Sequence, residues 1–224
     1  MDTQLTDVRK ENATCIWSQL LIETLLRMPN SDTAKDELLN TCEQQYYGNA
    51  LEFKNVQEFR KDYQSDKAIF WYTKSTFLYR LINKAIRTNN IDVIFSFRLF
   101  IKDLYNELLV LHQMLPKQMT VYRGQLMTKE ELNVIQNSIN GLISMNTFLS
   151  TSTTYDVAYT YAESCLINAG LETVLFQIEV DTTIDAKPYA GVIKVSNYED
   201  ENEVLFSMGT TFSIDEVISL ENDI

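Results

Sequence analysis

Apolar residues recur every three or four positions through the first half of the chain, the spacing that places side chains on one face of a helix. A first helix is predicted before Met28-Pro29, which ends it. Two further apolar stripes follow, the second ending at Pro116. We interpret the stripes as core-facing helix surfaces. Their members are Trp17, Leu20, Leu21, Leu25 and Leu26; Phe77, Leu78, Leu81, Ile82, Ala85 and Ile86; and Phe97, Ile101, Leu104, Leu108, Leu111 and Leu115.

Two helices are also predicted in the second half of the chain. The first covers residues 128–141, begins with Thr128 and Glu131 at the spacing of a capping box, and is closed by Gly141. The second covers residues 156–170. One face of this second helix is predicted to contain Ala158, Tyr161, Ala162 and Cys165.

Short strands are predicted around these two helices. Residues 119–124 (MTVYRG) are predicted to form a strand that ends at Gly124, and residues 141–152 have an extended pattern. Strict alternation over 172–180 predicts a strand with Val174, Phe176, Ile178 and Val180 on one side. Further short strands are predicted at 191–196, 203–206 and 210–214. Because helices come first and strands later, the order indicates an α+β fold rather than repeated βαβ units.

The composition narrows the class of protein. A chain of 224 residues with 45% hydrophobic residues predicts one globular domain. The longest aliphatic run has four residues, so no membrane segment is predicted, and the sequence ends carry no visible signal peptide or lipid-anchor signal. Three separated cysteines, Cys15, Cys42 and Cys165, favour free thiols in a reducing compartment. We expect a soluble protein, with the cytoplasm favoured and secretion left open.

Several common chemistries are excluded by the counts of glycine and histidine. No two of the six glycines lie within ten residues of each other, so neither a G-x-G-x-x-G motif nor a P-loop can be built. The single histidine, His112, lies in a predicted helix, where we interpret it as a packed residue. We therefore expect neither a zinc site nor a Ser-His-Asp hydrolase.

Charge is distributed unevenly along the chain, whose net charge is −12. Residues 1–115 hold 14 basic and 15 acidic side chains, whereas residues 116–224 hold 5 basic and 16 acidic ones. This balance argues against a nucleic-acid partner, since phosphate binding needs clustered Lys and Arg. The acidic half is either a solvated surface or a surface that attracts cationic partners. Arg123 is its only arginine, so an anion bound there would depend on this residue.

Three short polar motifs in the second half carry candidate chemistry. Tyr122-Arg123-Gly124 puts a guanidinium, which suits phosphate, beside a glycine that permits close backbone approach. Residues 150–153 form a hydroxyl run, which could equally be a polar turn before a helix. In Glu201-Asn202-Glu203, an extended chain would direct both carboxylates to one side and Asn202 to the other. Such a pair can stabilise a developing cation and move a proton, although an acidic edge strand would have the same pattern.

Taken in order, the motifs resemble the R-S-E signature of the arginine-specific mono-ADP-ribosyltransferases, the family of cholera-toxin-like toxins and vertebrate ecto-enzymes. Residues 68–73 and 78–87 are also similar to the helical region of the vertebrate-like branch. The resemblance covers about residues 66–220. It implies an N-terminal helical region packed on a split β-sheet with an NAD-binding cleft. We expect a helical extension over 1–65 and a catalytic domain over 66–224, with its helical part at 66–115, in one compact unit.

The resemblance also implies roles for individual residues. Arg123 would bind the pyrophosphate of NAD, and the backbone of Gly124 would meet the nicotinamide amide. Ser150 would lie near the nicotinamide ribose and orient the catalytic carboxylate, while Thr151 and Ser152 would shape the strand. Glu203 would hold the ribose 2′-hydroxyl and stabilise the positive charge that develops as nicotinamide leaves.

The acceptor side of the reaction would depend on Glu201 and Tyr198. Glu201 would hold the incoming guanidinium and help to remove its proton, and Tyr198 resembles the aromatic residue of the substrate-recognition loop. The implied function is transfer of ADP-ribose from NAD, as co-substrate and without a metal, to an arginine of a protein, whose surface could be basic. An NAD glycohydrolase and a catalytically silent interaction module remain as alternatives. Tyrosines 155, 159 and 161 could stack on nicotinamide, but helix-core packing is favoured for most of them.

Overall fold

The computed structural model describes residues 5–7, 12–29, 31–74, 77–112, 116–164, 171–197 and 202–219. In these ranges the helices before residue 116 are α1 (Asn12–Arg27), α2 (Ala34–Gln45), α3 (Ala50–Asp62), α4 (Ala68–Thr73), α5 (Phe77–Arg87), α6 (Ile91–Ser96) and α7 (Arg98–His112), with a 3-10 turn at Ser65–Lys67. Two more helices follow, α8 (Lys129–Gln136) and α9 (Tyr155–Ser164). The strands are β1 (Leu5–Asp7), β2 (Gln118–Met127), β3 (Leu142–Met145), β4 (Leu149–Ser152), β5 (Glu172–Asp181), β6 (Tyr189–Gly191), β7 (Glu203–Phe206) and β8 (Thr210–Ser213).

The strands form two antiparallel sheets, which confirms the α+β prediction with a split β-sheet. One sheet has the order β5-β2-β4-β7-β6 and the other the order β1-β3-β8. The alternative of an acidic edge strand is wrong for Glu203, because β7 is hydrogen-bonded to β4 on one side and to β6 on the other.

Two hydrophobic clusters cover the two faces of the five-stranded sheet. The larger one consists of buried side chains from helices α1 to α7, together with Phe148, Ala190, Val192 and Leu205 from the sheet and the residues next to it. The smaller one joins Val121, Leu149, Val204 and Phe206 of the five-stranded sheet to Ile143 and Met145 of the three-stranded sheet. The strands that carry the polar motifs are therefore held from both sides by apolar packing.

The second and third apolar stripes are confirmed as core. Every member from Phe77 to Ile86 is buried, and so are Phe97, Ile101, Leu104 and Leu108. Leu111 packs partly buried against the same cluster, and Leu115 lies outside the described residues.

The predicted core face of the first helix is wrong at two positions. Trp17 and Leu20 are 55% and 56% exposed, whereas Ile22 and Leu25 are buried. The Gln19 side chain explains the orientation of α1, because its amide nitrogen donates a hydrogen bond to the carbonyl of Gly209, at 2.8 Å. The face that contains Gln19 and Ile22 therefore lies against the sheet side of the molecule, and Trp17 and Leu20 point away from it.

Two predictions for α8 and β2 need correction. The Thr128–Glu131 capping box is confirmed, but α8 ends at Gln136 rather than at residue 141. Asn140, not Gly141, adopts the left-handed conformation, with φ 59°, and its N–H donates to the carbonyl of Ile214 at 2.7 Å. The strand β2 does not end at Gly124 but continues to Met127, because all ten of its residues pair in register with β5.

Two further predictions about strands, one in each half of the sequence, also differ from the structure. Residues 191–196 are not a strand: β6 ends at Gly191, and the N–H groups of Val195 and Ser196 both donate to the carbonyl of Val192, which makes a turn. The first half is not purely helical, since β1 pairs with β3. The other predicted strands are present, with residues 141–152 divided between β3 and β4 of different sheets. The domain boundary at residue 65 stays a prediction.

Candidate active site

Three neighbouring strands bring the predicted polar motifs together. β4 lies between β2 and β7, with Tyr122 directly opposite Ser152 and Ser152 directly opposite Glu203. Since antiparallel partners share a sheet face, these three side chains are on one side of the sheet. Ser150, two residues before Ser152 on β4, contacts both Arg123 and Glu203, so residues separated by 80 positions form one cluster.

Glu203 is the most enclosed charged residue of this cluster, with an exposure of 5%. The Ser150 hydroxyl donates to its Oε1 at 2.6 Å, and the Ser196 hydroxyl donates to its Oε2 at 3.2 Å. Burial of a carboxylate costs free energy unless its oxygens accept hydrogen bonds. The two hydroxyls therefore both stabilise the carboxylate and determine its orientation.

Arg123 is half-buried, and its guanidinium is held at two of its three nitrogens. Its Nη1 donates to the carbonyl oxygen of Ser150 at 2.7 Å, and its Nε donates to Oε1 of Gln125 at 2.9 Å. Because the guanidinium is planar and rigid, two such contacts define the direction of the whole fork. Ser150 thus contacts Arg123 through its backbone and Glu203 through its side chain.

Gly124 allows helix α9 to lie directly against β2. A Cβ atom at this position would be 2.1 Å from the carbonyl oxygen of Ala158, 2.8 Å from the backbone nitrogen of Ala162 and 2.9 Å from its Cβ. The first two of these atoms belong to the backbone, so they cannot move aside as a flexible side chain would. The close approach at Gly124 is therefore that of a helix, and the predicted contact with nicotinamide stays a prediction.

Thr151 and Ser152 stabilise the end of β4. Both side chains are buried; the Thr151 hydroxyl donates to the carbonyl of Val204 at 2.8 Å, and Oγ of Ser152 accepts from the N–H of Thr154 at 3.0 Å. The alternative of a polar turn is wrong for residues 150–152, which are paired strand residues.

The extended geometry assumed for the two glutamates is wrong at Asn202. Its φ of 46° lies in the left-handed region, which breaks the alternation of a strand. Its carbonyl accepts from the N–H of Thr153 at 3.1 Å, and its amide nitrogen donates to Oγ1 of Thr154 at 3.2 Å. Tyr198 and Glu201 lie outside the described residues, so their predicted roles stay predictions.

Sequence reasoning missed the part that α4 plays in holding the site. Oγ1 of Thr73 accepts from the N–H of Asn197 at 3.0 Å, which anchors the backbone directly after Ser196. The Tyr72 hydroxyl lies 3.4 Å from the carbonyl of Phe148, just before β4, and accepts from the Asn83 side-chain nitrogen at 3.1 Å. Complete burial raises the pKa of the Tyr72 hydroxyl well above its usual range, so it remains a donor at neutral pH. The sequence similarity at residues 68–73 indicated that this segment belongs to the helical region of the family, but it did not predict these contacts.

The tyrosines of α9 do not pack in the core. Tyr155, Tyr159 and Tyr161 are 43%, 39% and 56% exposed. The helix buries Ala158 and Ala162 instead, which confirms two members of its predicted face and makes the prediction wrong for Tyr161. Cys165, the fourth member, lies outside the described residues.

The remaining candidate groups are structural where the chain is described. The Nδ1 atom of His112 lies 2.8 Å from the carbonyl oxygen of Tyr189, and the ring packs against that tyrosine, as expected for a packed histidine. Cys42 is a buried free thiol. Among the described residues no cluster of three or more His, Cys, Asp or Glu is placed to hold a metal ion. The described helices include none that is both long and apolar enough to cross a bilayer.

Comparison with known proteins identifies the family. Residues 23–223 match the family model of the NAD:arginine ADP-ribosyltransferases. The chain belongs to this family. Membership of this family supports ADP-ribosyltransferase activity, which uses NAD as the donor of ADP-ribose. No curated protein sequence matches the chain at a significant level.

Solved structures of ADP-ribosyltransferases have the same fold. HopU1 of Pseudomonas syringae pv. tomato aligns with a TM-score of 0.56 and 18% identity, over 87% of this chain and 94% of its own. Exoenzyme S of Pseudomonas aeruginosa, in a complex with human 14-3-3 protein beta and carba-NAD, aligns with a TM-score of 0.53 and 16% identity, over 84% of each chain. The C3 exoenzyme of Clostridium limosum aligns with a TM-score of 0.50 and 14% identity, over 86% of this chain and 91% of its own.

Proposed function

We propose that this ADP-ribosyltransferase transfers ADP-ribose from NAD to the arginine side chain of a protein and releases nicotinamide. The observation that carries the proposal is the Arg123–Ser150–Glu203 cluster, in which Ser150 contacts both charged residues. NAD needs a cation for its pyrophosphate and an anion for the ribose, which becomes positively charged as neutral nicotinamide departs. The cluster supplies one of each, on β2 and β7, the two strands that flank β4.

The described residues fit NAD by the chemistry of their donors and acceptors. Arg123 would bind the pyrophosphate, because Gln125 and Ser150 hold its Nε and Nη1 and leave Nη2 to donate to a phosphate oxygen. Ser150 would meet the nicotinamide ribose, and the backbone of Gly124 the nicotinamide amide. Thr151 and Ser152 would hold β4 in its extended conformation through their hydrogen bonds.

Glu203 would supply the electrostatic stabilisation of the reaction. NAD brings a ribose–nicotinamide bond whose cleavage leaves positive charge on the ribose. A buried carboxylate, oriented before the reaction by Ser150 and Ser196, stabilises such charge more strongly than water does. The same carboxylate would accept a hydrogen bond from the 2′-hydroxyl.

Specificity for arginine would come from Glu201 and Tyr198. Arginine is protonated in water, so its nitrogen attacks only if a neighbouring group takes its proton. Glu201 would hold the guanidinium and accept that proton, and Tyr198 would contact the acceptor. The assignment is supported by the described residues on either side of this segment, since Asn197 is hydrogen-bonded to Thr73 and Asn202 to Thr154.

The product formed in the presence of a small arginine mimic tests the proposal. We expect nicotinamide release from NAD to increase when agmatine is added, and mass spectrometry to detect ADP-ribosyl-agmatine. Lysine methyl ester, which lacks a guanidinium, is the matched control and should not accelerate release. If the rate of nicotinamide release does not change with agmatine and the product is free ADP-ribose, the protein is instead an NAD glycohydrolase. No release and no binding of NAD at millimolar concentration would establish a silent interaction module.

A further inference from the structure

Three tyrosine rings form a continuous row across β2 and α9. The ring centroids of Tyr122 and Tyr155 are 5.5 Å apart in an edge-to-face contact, and those of Tyr155 and Tyr159 are 5.8 Å apart with nearly parallel planes. The hydroxyl of Tyr159 is hydrogen-bonded to the carboxylate of Glu163, one helical turn further along α9. We call Tyr122, Tyr155, Tyr159 and Glu163 the tyrosine row.

The tyrosine row begins on the sheet face that carries the catalytic carboxylate. Tyr122 is opposite Ser152 on the next strand, and Ser152 is opposite Glu203 on the strand after that. Adjacent strands are about 4.8 Å apart, so the backbone of Tyr122 is about 10 Å from that of Glu203. From Tyr155 to Glu163 the row extends about 12 Å along the helix. When an acceptor protein places its target side chain beside Glu203, the neighbouring surface of that protein would lie over the tyrosine row.

The packing of α9 does not account for these exposed rings. The helix contacts the sheet through Ala158 and Ala162, which are buried, whereas Tyr155 and Tyr159 leave about two fifths of their surface exposed to solvent. Tyr161 is also exposed but lies on the opposite flank of the helix, two residues from Tyr159. Contiguous exposed aromatic rings are typical of binding surfaces.

The charge around the row favours a cationic occupant. The row ends in the carboxylate of Glu163, and Asp156 is exposed on the same helix. Residues 116–224 carry 5 basic against 16 acidic side chains, so the surrounding half is strongly negative. Arg and Lys side chains bind the faces of aromatic rings, and a carboxylate beside a ring adds to that attraction.

We propose that the tyrosine row is a docking surface for lysine and arginine side chains that neighbour the target arginine on the acceptor protein. This inference rests on the proposed function, since it assumes that an acceptor protein reaches Glu203. It adds that the acceptor is selected by a basic surface about 10–20 Å from the modified residue.

Synthetic acceptor peptides test the inference. One peptide carries a single arginine and four lysines, and a second carries serines in place of the lysines; agmatine is the acceptor without a flanking surface. In wild type we expect a higher kcat/KM for the lysine peptide than for the serine peptide. Tyr159→Ala should lower kcat/KM for the lysine peptide about two- to five-fold, the effect of one exposed cation–π contact. Values for the serine peptide and agmatine should not change.

Tyr161→Ala is the matched control, because it removes a tyrosine that is exposed at least as much as Tyr159 from the other flank of the same helix. Equal losses in the two variants, or no loss in Tyr159→Ala, would overturn the inference. A raised KM for NAD in Tyr159→Ala would also overturn it, since the row would then belong to the NAD site.

A binding measurement separates failure of the docking surface from failure of the proposed function. A fluorescent lysine peptide whose arginine is replaced by glutamine cannot be modified, and its affinity can be measured by anisotropy without turnover. Weaker binding to Tyr159→Ala than to Tyr161→Ala would support the docking surface even if wild type transferred nothing to agmatine. Equal binding to both variants would contradict it even if transfer to agmatine were efficient.

Discussion

At the scale of single residues, the carboxylate of Glu203 is held at both oxygens by hydroxyls from different parts of the chain. Ser150 belongs to the neighbouring strand, and Ser196 to the turn after β6. The residue after Ser196, Asn197, is in turn hydrogen-bonded to Thr73 of α4. Such contacts hold the carboxylate in position before NAD binds, and a catalytic group that is positioned in advance raises the rate of the chemical step.

Replacement of Ser196 should therefore impair catalysis more than binding. We expect Ser196→Ala to lower kcat for nicotinamide release about tenfold while KM for NAD changes less than twofold, because the hydroxyl contacts Glu203, whereas the pyrophosphate would bind at Arg123. Ser196→Thr, which keeps a hydroxyl, should restore most of kcat. Steady-state kinetics of the three proteins checks this. If Ser196→Thr were as slow as Ser196→Ala, the role assigned to the hydroxyl would be wrong.

At the scale of elements, α4 connects the helical core to the site. Its first turn is held by Glu107 of α7, whose Oε2 accepts from the N–H of Ile69 at 2.9 Å, and its last residues contact Phe148 and Asn197. Burial raises the pKa of Glu107 to about 7, with smaller increases from Asp66 and Asp103, although backbone hydrogen bonds at Ile69 and Ala68 oppose them. Glu107 therefore exchanges its proton near neutral pH in the folded protein.

The contribution of Glu107 to stability should decrease as the pH rises. The unfolded side chain has a pKa of 4.5, so between about pH 4.5 and 7 the folded state binds more protons than the unfolded state. The free energy of unfolding then falls as the pH increases through this window and levels off above it. Glu107→Gln keeps an oxygen for the Ile69 N–H but cannot ionise.

Urea unfolding of wild type and Glu107→Gln at several pH values between 5 and 8 measures this effect. Relative to wild type, the variant should gain stability with increasing pH. Other carboxylates titrate in both proteins, so their effects cancel in the difference. A difference that stays constant over the whole range would contradict the pKa assigned to Glu107.

At the scale of the whole molecule, the sequence predicted what depends on local periodicity and missed what depends on distant partners. The stripes from Phe77 to Leu108 were predictable because burial repeats with the helical period. The pairing that extends β2 to Met127 requires β5, about fifty residues later, and the orientation of α1 depends on Gly209. No pattern in the sequence contains this information.

The candidate site was predictable in the same partial way. Arg123, Ser150 and Glu203 were found as motifs because each residue type suits its chemistry, and the sheet order brings them together. Ser196 lies in a stretch that alternates like a strand, so its contact with Glu203 was not visible. The left-handed Asn202 was missed because a single residue with positive φ leaves no periodic signal.

The central claim is that Glu203, held between Ser150 and Ser196, cleaves the nicotinamide bond of NAD. The most direct test is the rate of nicotinamide release by wild type and Glu203→Gln with agmatine present. Glutamine has the same shape and keeps one oxygen that accepts from a serine hydroxyl, while its NH2 group can donate to the oxygen of the other serine, so the variant should fold with a nearly unchanged melting temperature. We predict that release falls at least about a thousandfold. A folded variant that releases nicotinamide within about tenfold of the wild-type rate would contradict the account.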